Sequence, residues 1–92
     1  MIKSFKHKGL QEFFETGSKA GIQPKHAARL EEQLFALNRT TKPKDMDFPG
    51  WVLHPLQGAL KGRWAVRVSG NWRLTFRFVG TNVEIVDYQD YH

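Results

Sequence analysis

In the first half of the chain the apolar residues repeat at helical spacing. The segment KGLQEFFETG carries Leu10, Phe13 and Phe14 at this spacing. It stops at Gly17, a residue suited to the left-handed conformation that closes helices. A second helix is predicted with Pro24 in its first turn. Its core-facing stripe consists of Ala27, Leu30, Leu34 and Leu37.

The second half of the chain alternates apolar and polar residues, as β-strands do. The stretch GRWAVRVSGNWRLTFRFVG predicts two strands joined near Gly70, and NVEIVDY predicts a final strand. Two shorter strands are predicted at MIKSF, where Ile2 and either Met1 or Phe5 would face the core, and at WVLHPL, which Pro55 ends. The segment NRTTKPKDMDFPG has no periodicity and reads as a loop from Asn38 to Gly50.

The order of these elements predicts an α+β fold, with two N-terminal helices packed on a mostly antiparallel sheet. The length of 92 residues and the hydrophobic fraction of 40% suit one domain that spans residues 1–92.

One register of the predicted hairpin keeps a face of the sheet apolar. It pairs Trp64, Val66 and Val68 with Phe76, Leu74 and Trp72, respectively. The same register places Arg67 opposite Arg73 and Arg63 opposite Arg77. Like charges directly across two strands destabilise a sheet, typically by about 0.2 to 1 kcal/mol.

These arginines therefore need compensating negative charge. Asp87, Asp90 or the terminal carboxylate can supply it, and so can a bound phosphate, which arginine's planar fork matches in bidentate fashion. Both explanations stay open for Arg63 and Arg77, whereas phosphate is favoured for the Arg67 and Arg73 pair.

Charge strengthens the case for a polyanionic partner. The net charge is +5 and the pI about 9.8, and no acidic residue lies between Asp47 and Glu84. The chain has no cysteine, no secretory signal and no stretch long enough to cross a membrane, so the cytoplasm is the expected compartment.

Histidine is the side chain best suited to move protons near pH 7. His54 ends a predicted strand and His92 ends the chain, so both are expected at the rim of the sheet. His7 and His26 are predicted to be surface residues without a role. Metal motifs, a nucleophile triad and a phosphate-binding glycine loop are not recognisable, so no metal or cofactor is expected.

A basic face ringed by His, Tyr and Asp suits RNA cleavage, because RNA carries its own 2′-hydroxyl nucleophile. The protein then needs only a base, an acid and cations for the charge that develops on phosphorus.

The motif RVSGNWRLTFRF followed by a terminal DYH resembles the HigB toxins, a branch of the RelE/ParE superfamily encoded beside HigA antitoxins. The similarity runs from MIKSF to DYQDYH. It implies a RelE-like β-α-α-β-β-β(-β) topology and a metal-independent endoribonuclease that cleaves mRNA in the ribosomal decoding site. It also implies neutralisation by a HigA-type helix-turn-helix antitoxin.

The resemblance also implies a set of functional residues. The catalytic positions carried over are His54, Arg73, Asp90, Tyr91 and His92. We expect Arg73, helped by Arg67, to stabilise the phosphorus charge, and His54 and His92 to share the base and acid roles. Asp90 would orient an imidazole or act as base, and Tyr91 would stack on or bond to the substrate.

The positions expected to bind RNA are Arg63, Arg67, Arg77 and Lys61. Gln57 departs from the family pattern because many relatives have lysine there, and Lys61 is a candidate to substitute for it.

Two other functions fit parts of the pattern. One is a ParE-like toxin that binds DNA gyrase and has no nuclease activity, although such proteins do not need the terminal Asp-Tyr-His cluster. The other is a nucleic-acid-binding or regulatory module that uses only the basic face and forms no cleavage product.

Overall fold

The computed structural model describes residues 1–91, so His92 lies outside the described residues. Helix α1 spans Lys8–Thr16. It begins where the Leu10 N–H donates to His7 Nδ1 at 3.0 Å, and it ends at Gly17, whose φ of 82° is left-handed. Leu10 and Phe13 are buried, whereas Phe14 is 37% exposed, so α1 buries a narrower face than its apolar spacing suggests.

The second helix follows the predicted stripe. A 3₁₀ turn at Pro24–His26 leads into α2, Ala27–Arg39, which extends two residues into the predicted loop. Helix α1 and the turn that follows it can approach closely because Gly9 and Gly21 lack side chains: a Cβ on Gly9 would lie 2.5 Å from the Gly21 carbonyl oxygen. The buried residues of α2 are Ala27, Leu30, Gln33, Leu34 and Leu37.

Four antiparallel strands form one sheet in sequence order, which confirms the α+β prediction. They are β1, His54–Pro55; β2, Arg63–Ser69; β3, Trp72–Val79; and β4, Asn82–Asp90. The predicted loop before β1 contains a 3₁₀ turn, Pro43–Met46, whose Met46 is fully buried.

The N-terminal segment forms less strand than predicted. Only two isolated parallel bridges join it to β4, Ile2 to Val83 and Phe5 to Val86. Between them the Ile85 N–H donates to the Ser4 hydroxyl at 2.9 Å, so a side chain replaces the backbone partner there. Ile85 also has a φ of 49°, which breaks the extended geometry of β4.

The predicted hairpin register is confirmed for most of its length. Trp64 pairs with Phe76, Val66 with Leu74, Arg67 with Arg73 and Arg63 with Arg77. The expected pairing of Val68 with Trp72 is wrong, because an irregularity between Arg67 and Ser69 puts Ser69 opposite Trp72. This bulge lies beyond the arginine pairs and leaves them opposed.

The hydrophobic core lies between the two helices and the apolar face of the sheet. Within residues 1–91 no helix has the length and apolar character needed to cross a membrane. The largest fully buried apolar side chains of the core are Phe76, Leu10, Leu30, Leu34, Leu37, Met46 and Leu74.

Candidate active site

The face of the sheet turned away from the helices carries the arginines. Residues directly opposite each other on neighbouring strands project to the same side. A central row therefore crosses the sheet through the pairings His54–Ala65, Ala65–Thr75 and Thr75–Asp87. The arginines flank this row on both sides. We define the arginine face as His54, Arg63, Ala65, Arg67, Arg73, Thr75, Arg77, Asp87 and Gln89.

On one side of the row, Arg67 and Arg73 face each other. Arg67 is exposed and Arg73 is half-buried. The Arg73 guanidinium folds back over the β2–β3 turn, where Nη1 donates to the Gly70 carbonyl at 3.0 Å and to the Trp72 carbonyl at 3.3 Å. Arg67 and Arg73 are thus opposed on neighbouring strands, and within residues 1–91 no carboxylate forms an ion pair with either of them.

On the other side of the row, Arg63 and Arg77 differ in their partners. Arg77 forms an ion pair with Glu84 at 3.1 Å, so a carboxylate on the neighbouring strand offsets its charge. Arg63 is half-buried, and its Nη1 has no hydrogen-bond acceptor among residues 1–91. A buried charged donor without a partner is costly, so Arg63 Nη1 lowers the stability of the fold.

His54 has its tautomer set by the backbone. Its Nδ1 lies 2.7 Å from the Val52 carbonyl oxygen. A carbonyl can only accept, so Nδ1 carries the proton and Nε2 keeps a lone pair in the neutral ring. Val52 holds this carbonyl in place at a φ of 52°, a strained conformation for a β-branched residue. The geometry leaves His54 Nε2 able to accept a proton on the arginine face.

Asp87 closes the central row but does not neutralise the arginines. The carboxylate is 6% exposed. Its Oδ1 accepts from the Tyr88 N–H at 2.9 Å, and its Oδ2 accepts from Gln89 Nε2 at 2.5 Å. Both oxygens are engaged by adjacent residues. Thr75, its cross-strand neighbour, has a buried hydroxyl without a hydrogen-bond partner within residues 1–91.

The C-terminal candidates divide between the two sides of the sheet. Asp90 pairs with Trp72 and alternates with Tyr88, which places it on the helix side rather than on the arginine face. Burial is the main cause that lowers the pKa of His26 and raises that of Tyr88; the Asp90 charge partly opposes the first shift and adds to the second. Tyr91 is half-buried, and its N–H donates to the Asn71 carbonyl at 2.8 Å. The candidate His92 lies outside the described residues.

The remaining candidates lie at the margin of the arginine face. Lys61 and Gln57 are both exposed, and they flank the 3₁₀ turn Gly58–Leu60 that precedes β2. Among residues 1–91, no three His, Cys, Asp or Glu side chains converge to form a possible metal site.

A family model described as a RelE-like toxin of the type II toxin-antitoxin system HigB matches residues 3–92. The chain belongs to this family of HigB-like toxins. It is 40% identical to Endoribonuclease HigB of Proteus vulgaris, and the similarity covers 100% of both chains.

Solved structures of low identity share the fold of this HigB-like toxin. A YafQ mutant from E. coli has a TM-score of 0.65 at 16% identity, over 98% of this chain and 91% of the other. The YoeB/ParE toxin from Agrobacterium tumefaciens has a TM-score of 0.64 at 13% identity, over 99% and 98%. The RelBE2 toxin-antitoxin complex from Mycobacterium tuberculosis has a TM-score of 0.56 at 20% identity, over 99% and 96%.

Two histidines of the toxin were predicted to be surface residues without a role, and for His26 the prediction of a surface position is wrong. His26 is 3% exposed, and its Nδ1 lies 2.5 Å from the Tyr88 hydroxyl. His7 is half-buried and caps α1. The signal for His26 is its position four residues before Leu30, because that spacing puts it on the same buried stripe of the second helix.

Proposed function

We propose that this HigB-like toxin is a ribosome-dependent endoribonuclease that cleaves mRNA by attack of a 2′-hydroxyl on the adjacent phosphate. The full-length identity of 40% to Endoribonuclease HigB supports ribonuclease activity. The observation that carries the mechanism is the opposed Arg67–Arg73 pair, which lies beside an imidazole with its basic nitrogen available.

The proposed chemistry begins with the substrate's own nucleophile. His54 Nε2 takes the proton from the 2′-hydroxyl, the O2′–P bond forms and the P–O5′ bond breaks. The leaving 5′-oxygen takes a proton from an acid, a role we propose for His92. The Arg73 guanidinium, helped by Arg67, stabilises the negative charge that develops on the phosphoryl oxygens.

The other predicted site residues have supporting roles in this proposal. Arg63, Arg77 and Lys61 would bind flanking phosphates. Tyr91, at the end of β4, would stack on a base or bond to the substrate. Asp90 would orient an imidazole or act as base, and its position on the helix side of the sheet favours an orienting role.

The partners follow from an open site of this kind. A shallow basic face does not bend RNA into an in-line geometry by itself, so we propose that the ribosomal decoding site positions the mRNA. Membership in a toxin-antitoxin family supports an antitoxin partner, which we propose to be a HigA-type helix-turn-helix protein. Both partners would meet the toxin in the cytoplasm.

The proposal is tested by incubating the purified toxin with translating ribosomes and, separately, with DNA gyrase. We expect mRNA cleavage with a 2′,3′-cyclic phosphate end. Arg73→Gln should slow cleavage by roughly 10²- to 10³-fold, as expected for loss of one group that stabilises the transition state. The matched control is Arg29→Gln, which removes an arginine from α2 on the other side of the sheet.

Other outcomes would replace the proposal. Gyrase inhibition without an mRNA product would identify a ParE-like poison. Salt-sensitive RNA binding without any cleaved product would identify a nucleic-acid-binding module.

A further inference from the structure

A partly buried cluster of rings lies on the helix side of the sheet, behind the Arg67–Arg73 pair. We define the aromatic cluster as His7, His26, Trp72 and Tyr88. The Tyr88 ring stacks on Trp72 with centroids 4.5 Å apart and an interplanar angle of 28°. The rings of His26 and His7 approach Tyr88 edge-on at 6.0 Å and 5.4 Å. The cluster therefore joins the start of α2, the segment before α1, and strands β3 and β4.

The hydrogen bond inside this cluster joins His26 Nδ1 to the Tyr88 hydroxyl. Tyr88 is 4% exposed. In the neutral tautomer that carries its proton on Nε2, His26 Nδ1 accepts the hydroxyl proton of Tyr88. Burial is the main cause that lowers the pKa of His26, and it favours this neutral form. The bond fixes Tyr88 against the start of α2.

The residues held by this bond are continuous with the proposed active site. Trp72 directly precedes Arg73 in β3 and is the Cα partner of Asp90 in β4. One residue further, the Tyr91 N–H donates to the Asn71 carbonyl. The beginning of β3 and the end of β4 are thus clamped from behind by side chains that do not themselves lie on the arginine face.

We propose that His26 is a positioning residue: by bonding to Tyr88 it fixes the strand ends that present Arg73 and Tyr91 to the RNA. This inference rests on the proposed ribonuclease function, because it assigns His26 a role in that reaction. His26 touches no reacting group. Its removal should therefore loosen the geometry of catalysis while leaving the surface that binds the substrate intact.

Three variants test the bond itself. His26→Leu removes the acceptor, and Tyr88→Phe removes the hydroxyl while keeping the ring. His26→Asn keeps a polar group near the Nδ1 position and serves as the conservative rescue. The control for stability alone is Leu37→Ala, which opens a cavity at the far end of α2 and so lowers the stability of the fold.

Two measurements are made on each folded variant. The first is hydrogen exchange of the Tyr91 amide, which reports the strand end directly. The second is the separation of kcat from KM for ribosome-dependent cleavage. We expect His26→Leu and Tyr88→Phe to accelerate the exchange and to lower kcat by roughly 10- to 100-fold, with KM nearly unchanged. His26→Asn should restore most of kcat, and Leu37→Ala should change neither quantity comparably.

The outcomes separate the two proposals. Unchanged exchange and kcat in His26→Leu would overturn the positioning role, as would an equal loss of kcat in Leu37→Ala. A wild-type toxin that cuts no mRNA would overturn the ribonuclease proposal instead. In that case the exchange of the Tyr91 amide still decides whether His26 holds the strand end.

Discussion

The His54 imidazole shows how one backbone contact can prepare a side chain for proton transfer. The Val52 carbonyl fixes the Nδ1 proton, so Nε2 is the nitrogen that can accept a proton from RNA. His54→Asn separates these two features, because the asparagine amide can still donate to the Val52 carbonyl but cannot act as a base. We expect cleavage on ribosomes to slow by roughly 10²- to 10⁴-fold, with the melting temperature nearly unchanged. Cleavage at the wild-type rate would assign the base to another group.

The buried His26 ring should make stability depend on pH. Burial and the nearby Lys25 lower its pKa below the ordinary 6.5, and Asp90 only partly opposes them. The unfolded chain therefore takes up this proton at a higher pH than the folded one. The stabilisation is complete above about pH 6.5 and is lost as the pH falls toward the folded pKa. We expect the free energy of unfolding to decrease across this interval.

The His26→Asn variant isolates that contribution. It retains the other titrating groups, including the Tyr88 hydroxyl and the neighbouring His7 ring. The difference in free energy of unfolding between the two proteins therefore reports the proton uptake of His26. Chemical denaturation from pH 8 to 5 should give curves for the two proteins that converge at low pH. Parallel curves would show that His26 takes up no extra proton on unfolding.

Alternation of side chains along β4 explains why Asp90 does not lie on the arginine face. Tyr88 faces the helices, so Asp90 faces them too, whereas Gln89 lies on the arginine face. The sequence VDYQDY contains this alternation. Which side of the sheet each residue takes, however, depends on the irregularity near Ile85, where two residues of β4 oppose one of β3. A bulge of this kind has no clear sequence signal when a β-branched residue takes the positive φ.

At the scale of elements, the sequence predicts best those structures that depend on residues close together in the chain. Gly17 ends α1 as expected, because caps depend on neighbouring residues, whereas Pro24 begins a 3₁₀ turn that leads into α2 instead of lying in the first turn of the helix itself. The hairpin register follows from the need to bury Trp64, Val66, Leu74 and Phe76 together. The strand predicted at MIKSF is longer than the observed one, because pairing along its length depends on the distant Ser4–Ile85 contact.

Repulsion between the opposed Arg67 and Arg73 should lower the stability of the fold, while both side chains serve to bind RNA. Arg67→Thr removes a like-charge pair and places a β-branched residue on an exposed strand position. We expect it to increase the free energy of unfolding by about 0.2 to 1 kcal/mol while slowing cleavage. Denaturant titration checks the first expectation and the ribosome assay the second.

Arg77→Gln provides the matched comparison in the same strand pair. It breaks the ion pair with Glu84, so its effect on stability should be neutral or slightly negative, within about 1 kcal/mol. If both variants change stability in the same direction and by the same amount, electrostatic repulsion between Arg67 and Arg73 is too weak to matter.

At the scale of the whole molecule, charge is distributed unevenly over the two sides of the sheet. Four arginines lie on the arginine face, whereas α2 carries both signs of charge, Glu31 and Glu32 together with Arg29 and Arg39. A net charge of +5 attracts polyanions in general, but the arginine face also places a proton acceptor, His54 Nε2, among its cations. The orientation in which the toxin binds RNA should therefore depend on which side of the sheet loses a positive charge, as well as on the number of positive charges that remain.

The salt dependence of binding can test this orientation. Each arginine that contacts a phosphate of single-stranded RNA contributes about 0.7 to the slope of log K against log salt, because it releases counterions. With the His54→Asn variant, which prevents cleavage, binding to mRNA-programmed ribosomes is measured over a salt series at fixed magnesium. Adding Arg67→Gln should lower the slope by about 0.7, whereas adding Arg29→Gln should leave it nearly constant. Equal slopes would mean that the toxin binds through diffuse charge, and the arginine face would then lose its special role in recognition.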